Sequence, residues 1–154
     1  MAASTANGVA DYLLWFAKEH GDLLTPLKLQ KLMFYADAWH MVMHEGEELI
    51  GAPFEAWVHG PVHRETYVRF SVHKWNPIPC DAEKPDLPAQ VQAFLNDVYQ
   101  VFGGFSAYEL EQLTHQEAPW KTARGNLPLD ASCTAPIDKA LTCAFYTEMS
   151  RTEH

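Results

Sequence analysis

The chain has few cations and few cysteines for its size. Among its 154 residues, 11 are Lys or Arg and 20 are Asp or Glu, so the formal net charge is -9. Nucleic-acid backbones are bound by cations that displace counterions, so this balance argues against a general nucleic-acid binder and against an anionic membrane surface as partner. The chain has three cysteines and no C-x-x-C pair. An odd and small number of cysteines is typical of a cytoplasmic protein with reduced thiols and not of a disulfide framework. The cysteines are Cys80, Cys133 and Cys143.

Long hydrophobic runs are also missing. The longest apolar run, from Tyr12 to Ala17, is far shorter than the ~20 residues of a membrane-spanning helix. The first residues lack the basic and apolar regions of a secretory signal, so we expect a cytoplasmic protein. Hydrophobic residues at 47% and charged residues at 20% indicate a globular domain. We expect residues 1–154 to form one domain, with a core between about 9 and 150.

Helical spacing and helix-end signals recur along the chain. Thr25-Pro26 is the clearest start, because Thr caps free amides and Pro fits the first helical position. Ser106 and Glu109 have the spacing of a capping box. Such patterns predict helices over about 7–20, 26–45, 62–73, 88–102, 106–116, 118–124 and 136–150. On the second of these, the residues predicted to face a core are Leu29, Leu32, Met33, Ala36, Trp39 and Met43.

One short segment alternates with a period of two and predicts a strand. Phe54, Ala56 and Val58 alternate with Glu55, Trp57 and His59, which we expect to face outward. We expect a small β-hairpin or short sheet near residues 47–60, with residues 48–51 as one arm and Gly60-Pro61 as its end. Residues 76–88 hold four prolines and are predicted to be a loop. The predicted fold class is therefore mostly α (α+β), a compact helical domain of six to seven helices.

The eight histidines raise the question of a metal site. His40 and His44 are four residues apart on a predicted helix, which is the spacing of a two-histidine zinc site. Met41, however, stands where the metalloprotease motif has its general base. His59, His63 and His115 form a second candidate cluster, for which hydrogen bonding at element ends is the simpler interpretation. We predict no metal and keep a His-based metal-binding protein or enzyme as the alternative.

Motifs for covalent or cofactor chemistry are absent from the sequence. There is no G-x-S-x-G elbow, no cysteine with a catalytic signature and no Gly-rich phosphate loop. Gly103-Gly104 separates two predicted helices and has no phosphate-loop residues around it. We therefore predict no catalytic residues and no cofactor.

The aromatic and basic residues favour a binding protein. If Ala56 and Val58 face the core, Trp57 points outward beside His59, and aromatic anchors dominate binding hot spots. Packing of Trp57 under the Pro-rich loop is the alternative. Lys121 and Arg124 lie three apart on the predicted exposed side of a short helix, where they would form a positive spot in an acidic chain. Solvated charges on a short helix are the alternative reading of that pair.

Three blocks of the sequence, which are Thr25–Ala36, Phe54–Val62 and Tyr108–Trp120, resemble in this order those of the SocA-like antitoxin, or Panacea, domain family. The first block, Thr25–Ala36, resembles the family's L-T-x-L-K-L-Q-K-L-x-Y-Y-A block. The second, Phe54–Val62, resembles E-A-W-x-x-G-P-V, and Tyr67 falls where the family carries a tyrosine. The third, Tyr108–Trp120, resembles E-L-x-x-x-T-H-x-x-x-P-W. The resemblance runs from about residue 9 to residue 124, and the Pro-rich stretch departs from it.

The resemblance implies a mostly α fold, a bacterial or phage setting and a non-enzymatic role. Antitoxins of this kind are associated with neutralising a cognate protein toxin by direct binding, and the SocA type with delivering its toxin to a AAA+ protease of the ClpXP kind. A DNA-binding autoregulator is a further alternative, against which the net charge counts. A homo-oligomer stays open. We predict a partner-binding surface formed by Lys28, Lys31, Tyr35, Trp57, His59, Lys121 and Arg124.

Overall fold

The fold is arranged around one long helix that is buried on almost every side. A computed structural model describes residues 2–79 and 83–152. Its helices are α1 (Ala6–Glu19), α2 (Pro26–Met43), α3 (Arg64–Phe70), α4 (Ala89–Phe102), α5 (Ala107–Gln116), α6 (Ala118–Arg124) and α7 (Lys139–Thr152), with a 3₁₀ turn at Ser71–His73. Two strands, β1 (Glu55–Trp57) and β2 (Gly60–Val62), follow α2. The predicted mostly α fold with a small sheet is confirmed.

The helix ends follow the predicted capping chemistry with one exception. Thr25 accepts a hydrogen bond from the Lys28 amide and Pro26 occupies the first position of α2. Ser106 and Glu109 form both hydrogen bonds of a capping box at the start of α5. The exception is α1, for which the sequence analysis names no capping residue: it begins at Ala6, and Thr5 caps it by accepting from the Gly8 amide. Before α1, the amides of Ala3 and Ser4 donate to the carbonyls of residues 48 and 49.

The hairpin uses a different second arm from the one predicted. β1 pairs antiparallel with β2 in the register Glu55 with Val62, Ala56 with Pro61 and Trp57 with Gly60. Gly60-Pro61 therefore forms the second strand and does not terminate the sheet. Residues 48–51 lie beside the N-terminal segment, through a bridge between Ser4 and Ile50. Pairing at such short range is set by the turn, whose Gly60 has a φ of 107° that other residues rarely adopt.

The free edge of β1 is covered by the segment before α7. Ala56 donates to the Ala135 carbonyl at 2.9 Å, and Ile137 donates to the Phe54 carbonyl at 2.7 Å. Residues 136–138 were predicted to be helical, but edge pairing holds Pro136 and Ile137 against β1, and α7 begins at Lys139. Val62 was likewise predicted to be helical and lies in β2. The predicted loop over 76–88 is confirmed for its described residues, while Cys80 and its two successors lie outside them.

α2 lies at the centre of the core. It packs against α1, α3, α4, α5, α7 and β2, so its side chains are buried well beyond one stripe. Leu29, Leu32, Met33 and Ala36 are buried as predicted, whereas Met43 at the helix end is 63% exposed. Polar residues between them are buried too, which is expected of a helix surrounded by other elements. No helix in the described ranges is long and apolar enough to cross a membrane.

Gly60 provides the first test of this packing. A Cβ at Gly60 would lie 2.6 Å from Lys31 Cε and 2.9 Å from Thr114 Oγ1, whereas a Cβ at Gly46 would meet nothing within 4 Å. Both glycines have positive φ. We predict that Gly60→Ala lowers the free energy of unfolding by about 3 kcal/mol, since backbone strain and overpacking add.

The matched variant Gly46→Ala introduces the backbone strain without the overpacking. We expect it to lower the free energy of unfolding by about 1 kcal/mol. Urea denaturation of the two variants measures the difference. Equal losses would show that the contact between Gly60 and Lys31 contributes nothing.

Candidate functional site

Two adjacent residues of α2 anchor the hairpin to the core. Gln30 accepts a hydrogen bond from the His63 amide at 2.8 Å and donates to Thr66 Oγ1 at 3.0 Å. Lys31 Nζ donates to the Pro61 carbonyl at 3.1 Å. Both side chains are buried, so the edge of β2 that faces α2 is hydrogen-bonded by side chains where another strand would otherwise be needed.

Lys31 is a fully buried amine beneath the hairpin turn. Its aliphatic stem contacts the backbone of Gly60, and the Pro61 carbonyl is its hydrogen-bond acceptor. Burial lowers the pKa of Lys31 to about 7, and the charge of Glu111 opposes that change. The neutral amine is therefore well populated near neutral pH, which reduces the free energy required to bury this group.

A second buried residue set lies where α6 meets the end of β1. Arg124 donates to the carbonyl of Ala56 at 2.9 Å and to carbonyls of residues 128, 129 and 131. Trp120 donates its indole N–H to the Trp57 carbonyl at 2.8 Å, and its ring stacks on His115 with the ring centroids 4.0 Å apart. The hairpin is therefore held from two sides, by α2 and by α6.

Tyr35 belongs to a third buried group, together with Glu117 and Tyr146. Both phenolic hydroxyls donate to Glu117 Oε1, Tyr35 at 2.6 Å and Tyr146 at 2.7 Å. Burial raises the pKa of Glu117, and the two donated hydrogen bonds oppose that rise. The three residues join α2, the turn before α6, and α7. Sequence reasoning did not identify Glu117 or Tyr146 as partners of Tyr35, because they are distant along the chain.

Asp37 forms a further anchor that the sequence analysis did not single out. Its Oδ1 accepts from the amides of Leu49 and Ile50, each at 3.0 Å, and its Oδ2 lies 2.6 Å from Lys139 Nζ. Lys139 also contacts Glu48 at 3.2 Å. The available signal was an acidic residue inside the apolar block of α2, where a carboxylate requires a partner.

The histidines of the two proposed metal clusters have other roles in the described structure. His40 is buried and its Nδ1 lies 2.8 Å from the Glu47 carbonyl, while its ring packs against His44 with the centroids 4.2 Å apart. His59 pairs with Glu111 at 2.8 Å, and His63 caps α3. Among residues 2–79 and 83–152, no group of three or more His, Cys, Asp or Glu side chains could hold a metal ion.

The hairpin forms one wall of a surface groove with a volume of about 340 Å³. The aromatic side chains along it are Trp57, Tyr67 and Trp75, and Trp75 is 77% exposed. Its charged or titratable side chains, apart from the Cys133 thiol and Tyr67, are His59, Arg64 and Lys74. Among residues 2–79 and 83–152, no Asp or Glu lines it. We call these lining residues, with Leu27, Val58 and Val62, the hairpin groove.

The predicted partner-binding residues divide into two sets by burial. His59 and Lys121 are exposed, and Trp57 is half-buried with one face on the hairpin groove. Lys28 keeps only 14% of its side chain exposed and donates to the Gly103 carbonyl.

The remaining three predicted residues are Lys31, Tyr35 and Arg124, and the structure buries all of them. The expectation that these three lie on the surface is wrong. Each is held by the internal hydrogen bonds described above, because each satisfies buried polar groups of neighbouring elements.

Comparison with known proteins identifies the family of this chain. The family model "Antitoxin SocA-like, Panacea domain" matches residues 29–121, which extend from α2 into α6. The chain belongs to this family. One relative is the "Antitoxin SocA" of Caulobacter vibrioides, which is 30% identical over 128 residues that cover 75% of this chain and 68% of the relative. No solved structure matches this chain. Family membership supports an antitoxin role and favours regulation over catalysis.

The buried amine predicts a distinctive pH dependence. Lys31 has a pKa near 7 in the folded chain and near its ordinary 10.5 when unfolded. Between these values the unfolded chain binds more protons, so stability rises with pH. We predict that the free energy of unfolding of the wild type, relative to Lys31→Met, increases by about 1.4 kcal/mol per pH unit from pH 7 to 9. Urea denaturation at stepped pH measures this difference, and parallel curves would show that Lys31 keeps its proton.

Arg124 and Lys121 form a matched pair on one helix. We predict that Arg124→Gln lowers the free energy of unfolding by about 3 kcal/mol, because several buried carbonyls lose a charged donor. Lys121→Gln should change it by less than about 0.5 kcal/mol, since Lys121 is exposed. Thermal and urea denaturation measure the free energy of unfolding of the two variants and of the wild type. A small effect at Arg124 would mean that water replaces its hydrogen bonds without penalty.

Proposed function

We propose that this chain is a cytoplasmic antitoxin that neutralises its cognate protein toxin by direct binding, as a single domain and without catalysis. The observation that supports this most strongly is the family match over residues 29–121. Those residues include most of α2, the hairpin and α5, and end in α6, so the matched region contains the hairpin together with Gln30 and Lys31, which anchor it to α2.

The exposed members of the predicted surface lie on or near the hairpin. Trp57 lines the groove, and its indole N–H donates a hydrogen bond to Glu55 Oε1 at 2.8 Å. His59 lies at the hairpin turn, and Lys121 follows Trp120, whose indole donates to the Trp57 carbonyl. We infer that Trp57, His59 and Lys121 contact the toxin, because aromatic and cationic side chains dominate binding hot spots.

The proposal extends to proteolysis. The family resemblance implies that the antitoxin also passes its toxin to a AAA+ protease of the ClpXP kind. Such an adaptor shortens the half-life of the toxin, whereas a neutralising binder leaves it unchanged or lengthens it. A chase of tagged toxin in cells with active and with inactivated protease, with and without this chain, separates the two modes.

The decisive experiment pairs capture with growth rescue. The tagged chain is purified from its host after the protease is inactivated, so that a bound toxin accumulates. Any small protein recovered near one-to-one is then expressed alone and together with the chain. We expect arrested growth in the first case and normal growth in the second. A co-purifying protein that is harmless alone, or a toxin that the chain fails to counter, would refute the antitoxin role.

The contact surface has its own test. We predict that Lys121→Glu weakens binding of that toxin by on the order of 10-fold while the unfolding midpoint stays unchanged, because Lys121 is exposed. Arg151→Glu is the control, since its side chain is 73% exposed on α7 and belongs to neither the hairpin nor the groove. Calorimetric titration measures both variants. If the Lys121→Glu and Arg151→Glu variants bind the toxin with equal affinity, Lys121 is not part of the toxin-binding surface.

A further inference from the structure

The hairpin groove combines exposed aromatic rings with cations in a chain that is otherwise acidic. Trp75 is 77% exposed, and Trp57 and Tyr67 pack against each other with their ring centroids 4.8 Å apart. An indole this exposed leaves a large apolar surface in water. A volume of about 340 Å³ lies at the small end of the range of ligand pockets. The groove therefore suits a few side chains of a partner better than a whole domain face.

The groove is preformed by contacts outside it. Arg64 is held by two hydrogen bonds to Glu55, at 2.7 and 3.1 Å, and its guanidinium lies 5.5 Å from the Trp57 ring centroid. The turn that carries Trp75 is anchored, because Ile78 donates to the Leu24 carbonyl at 2.7 Å. A partner therefore meets a surface that is already ordered, which reduces the entropy lost on binding.

The charges of the groove differ in sign from those of the chain as a whole. Within the part of the chain that the structure describes, the groove is lined by the cations Arg64 and Lys74 and by no carboxylate, whereas the chain carries a net charge of -9. Glu55 and Glu111 partner Arg64 and His59, while Lys74 has no ion-pair partner among the described residues. An acidic partner is therefore repelled by most of the surface and attracted here.

The geometry points to the hairpin groove as the docking site for a segment of the toxin that places a large apolar side chain next to carboxylates. The apolar side chain fills the space between Trp57 and Trp75, and the carboxylates face Lys74 and Arg64. This inference rests on the proposed antitoxin function and names the chemistry of its partner. It assigns binding roles to Lys74, Trp75 and Arg64, which the sequence analysis did not place on the contact surface.

The test uses the full chain and the toxin identified by growth rescue. We expect Trp75→Ala to weaken binding by on the order of 30-fold, as for a central hot-spot residue. We expect Lys74→Glu to weaken it by on the order of 10-fold at low ionic strength, with the effect shrinking as salt screens the charge. Both side chains are exposed, so the unfolding midpoints should match the wild type.

The matched controls lie outside the groove. Tyr108→Ala removes another exposed aromatic ring, at 68% exposure, and Lys18→Glu makes the same charge change on α1. Neither should change toxin affinity. A direct readout comes from Cys133, which lines the groove. In a Cys80→Ser, Cys143→Ser background, bound toxin should slow alkylation of Cys133 several-fold.

The outcomes separate the two levels of the proposal. If the toxin binds while Trp75→Ala and Lys74→Glu match their controls and Cys133 stays reactive, the groove assignment is overturned and the antitoxin function stands. If only Trp75→Ala weakens binding, the acidic chemistry of the partner is overturned. If no toxin is found that the chain neutralises, the antitoxin function fails and the groove assignment fails with it. Loss of affinity in both variants with protection of Cys133 supports the inference.

Discussion

The rest of this structure depends on two hydrogen bonds at the end of the hairpin: Lys31 donates to the Pro61 carbonyl of β2, and Gln30 accepts from the amide of His63, the residue after β2. A two-stranded hairpin is marginal on its own, and its buried edges need partners for every amide and carbonyl. On one edge of the hairpin the partners are side chains of α2. On the other edge they are backbone groups of residues 135–137. Because both edges are covered, three-residue strands persist and place Trp57 at the surface.

The same interaction explains why a lysine lies inside an acidic chain. Most cations of a small protein are solvated, yet Lys31 and Arg124 are buried, and both donate to carbonyls of the hairpin strands. Each bond satisfies a backbone carbonyl that would otherwise be unpaired, which offsets part of the desolvation of the cation. The hairpin is in this way held by buried hydrogen-bond donors that are not available to a partner. Among the exposed cations, Arg64 and Lys74 line the hairpin groove.

Much of the fold could be predicted from local signals, because helix ends and alternation are set by short-range physics. Thr25-Pro26 and Ser106 with Glu109 start helices where predicted, and the inward residues Phe54 and Ala56 are buried. The second strand was missed because Gly60-Pro61 is an ordinary turn signal, whereas in the structure these residues pair with Trp57 and Ala56 of β1 and Pro61 accepts from Lys31. The start of α7 was missed for a similar reason, since residues 135–137 are held extended by the edge of β1.

The candidate site was predicted less completely, and the residues show why. Trp57 and His59 were found from alternation, which reports the direction of a side chain on a strand. Lys31, Tyr35 and Arg124 were placed outside because a helical stripe assumes one buried face, whereas α2 is surrounded and α6 closes over the hairpin. Lys74 and Trp75 gave no periodic signal, because they follow a short 3₁₀ turn.

By itself the sequence determined the family, the mostly α class and the helix ends, because motif order, composition and capping are properties of neighbouring residues. Only the tertiary structure decided which cations are buried and which rings line a groove. That outcome depends on contacts between residues far apart in the chain, where the cost of leaving a polar group unpaired selects its partner.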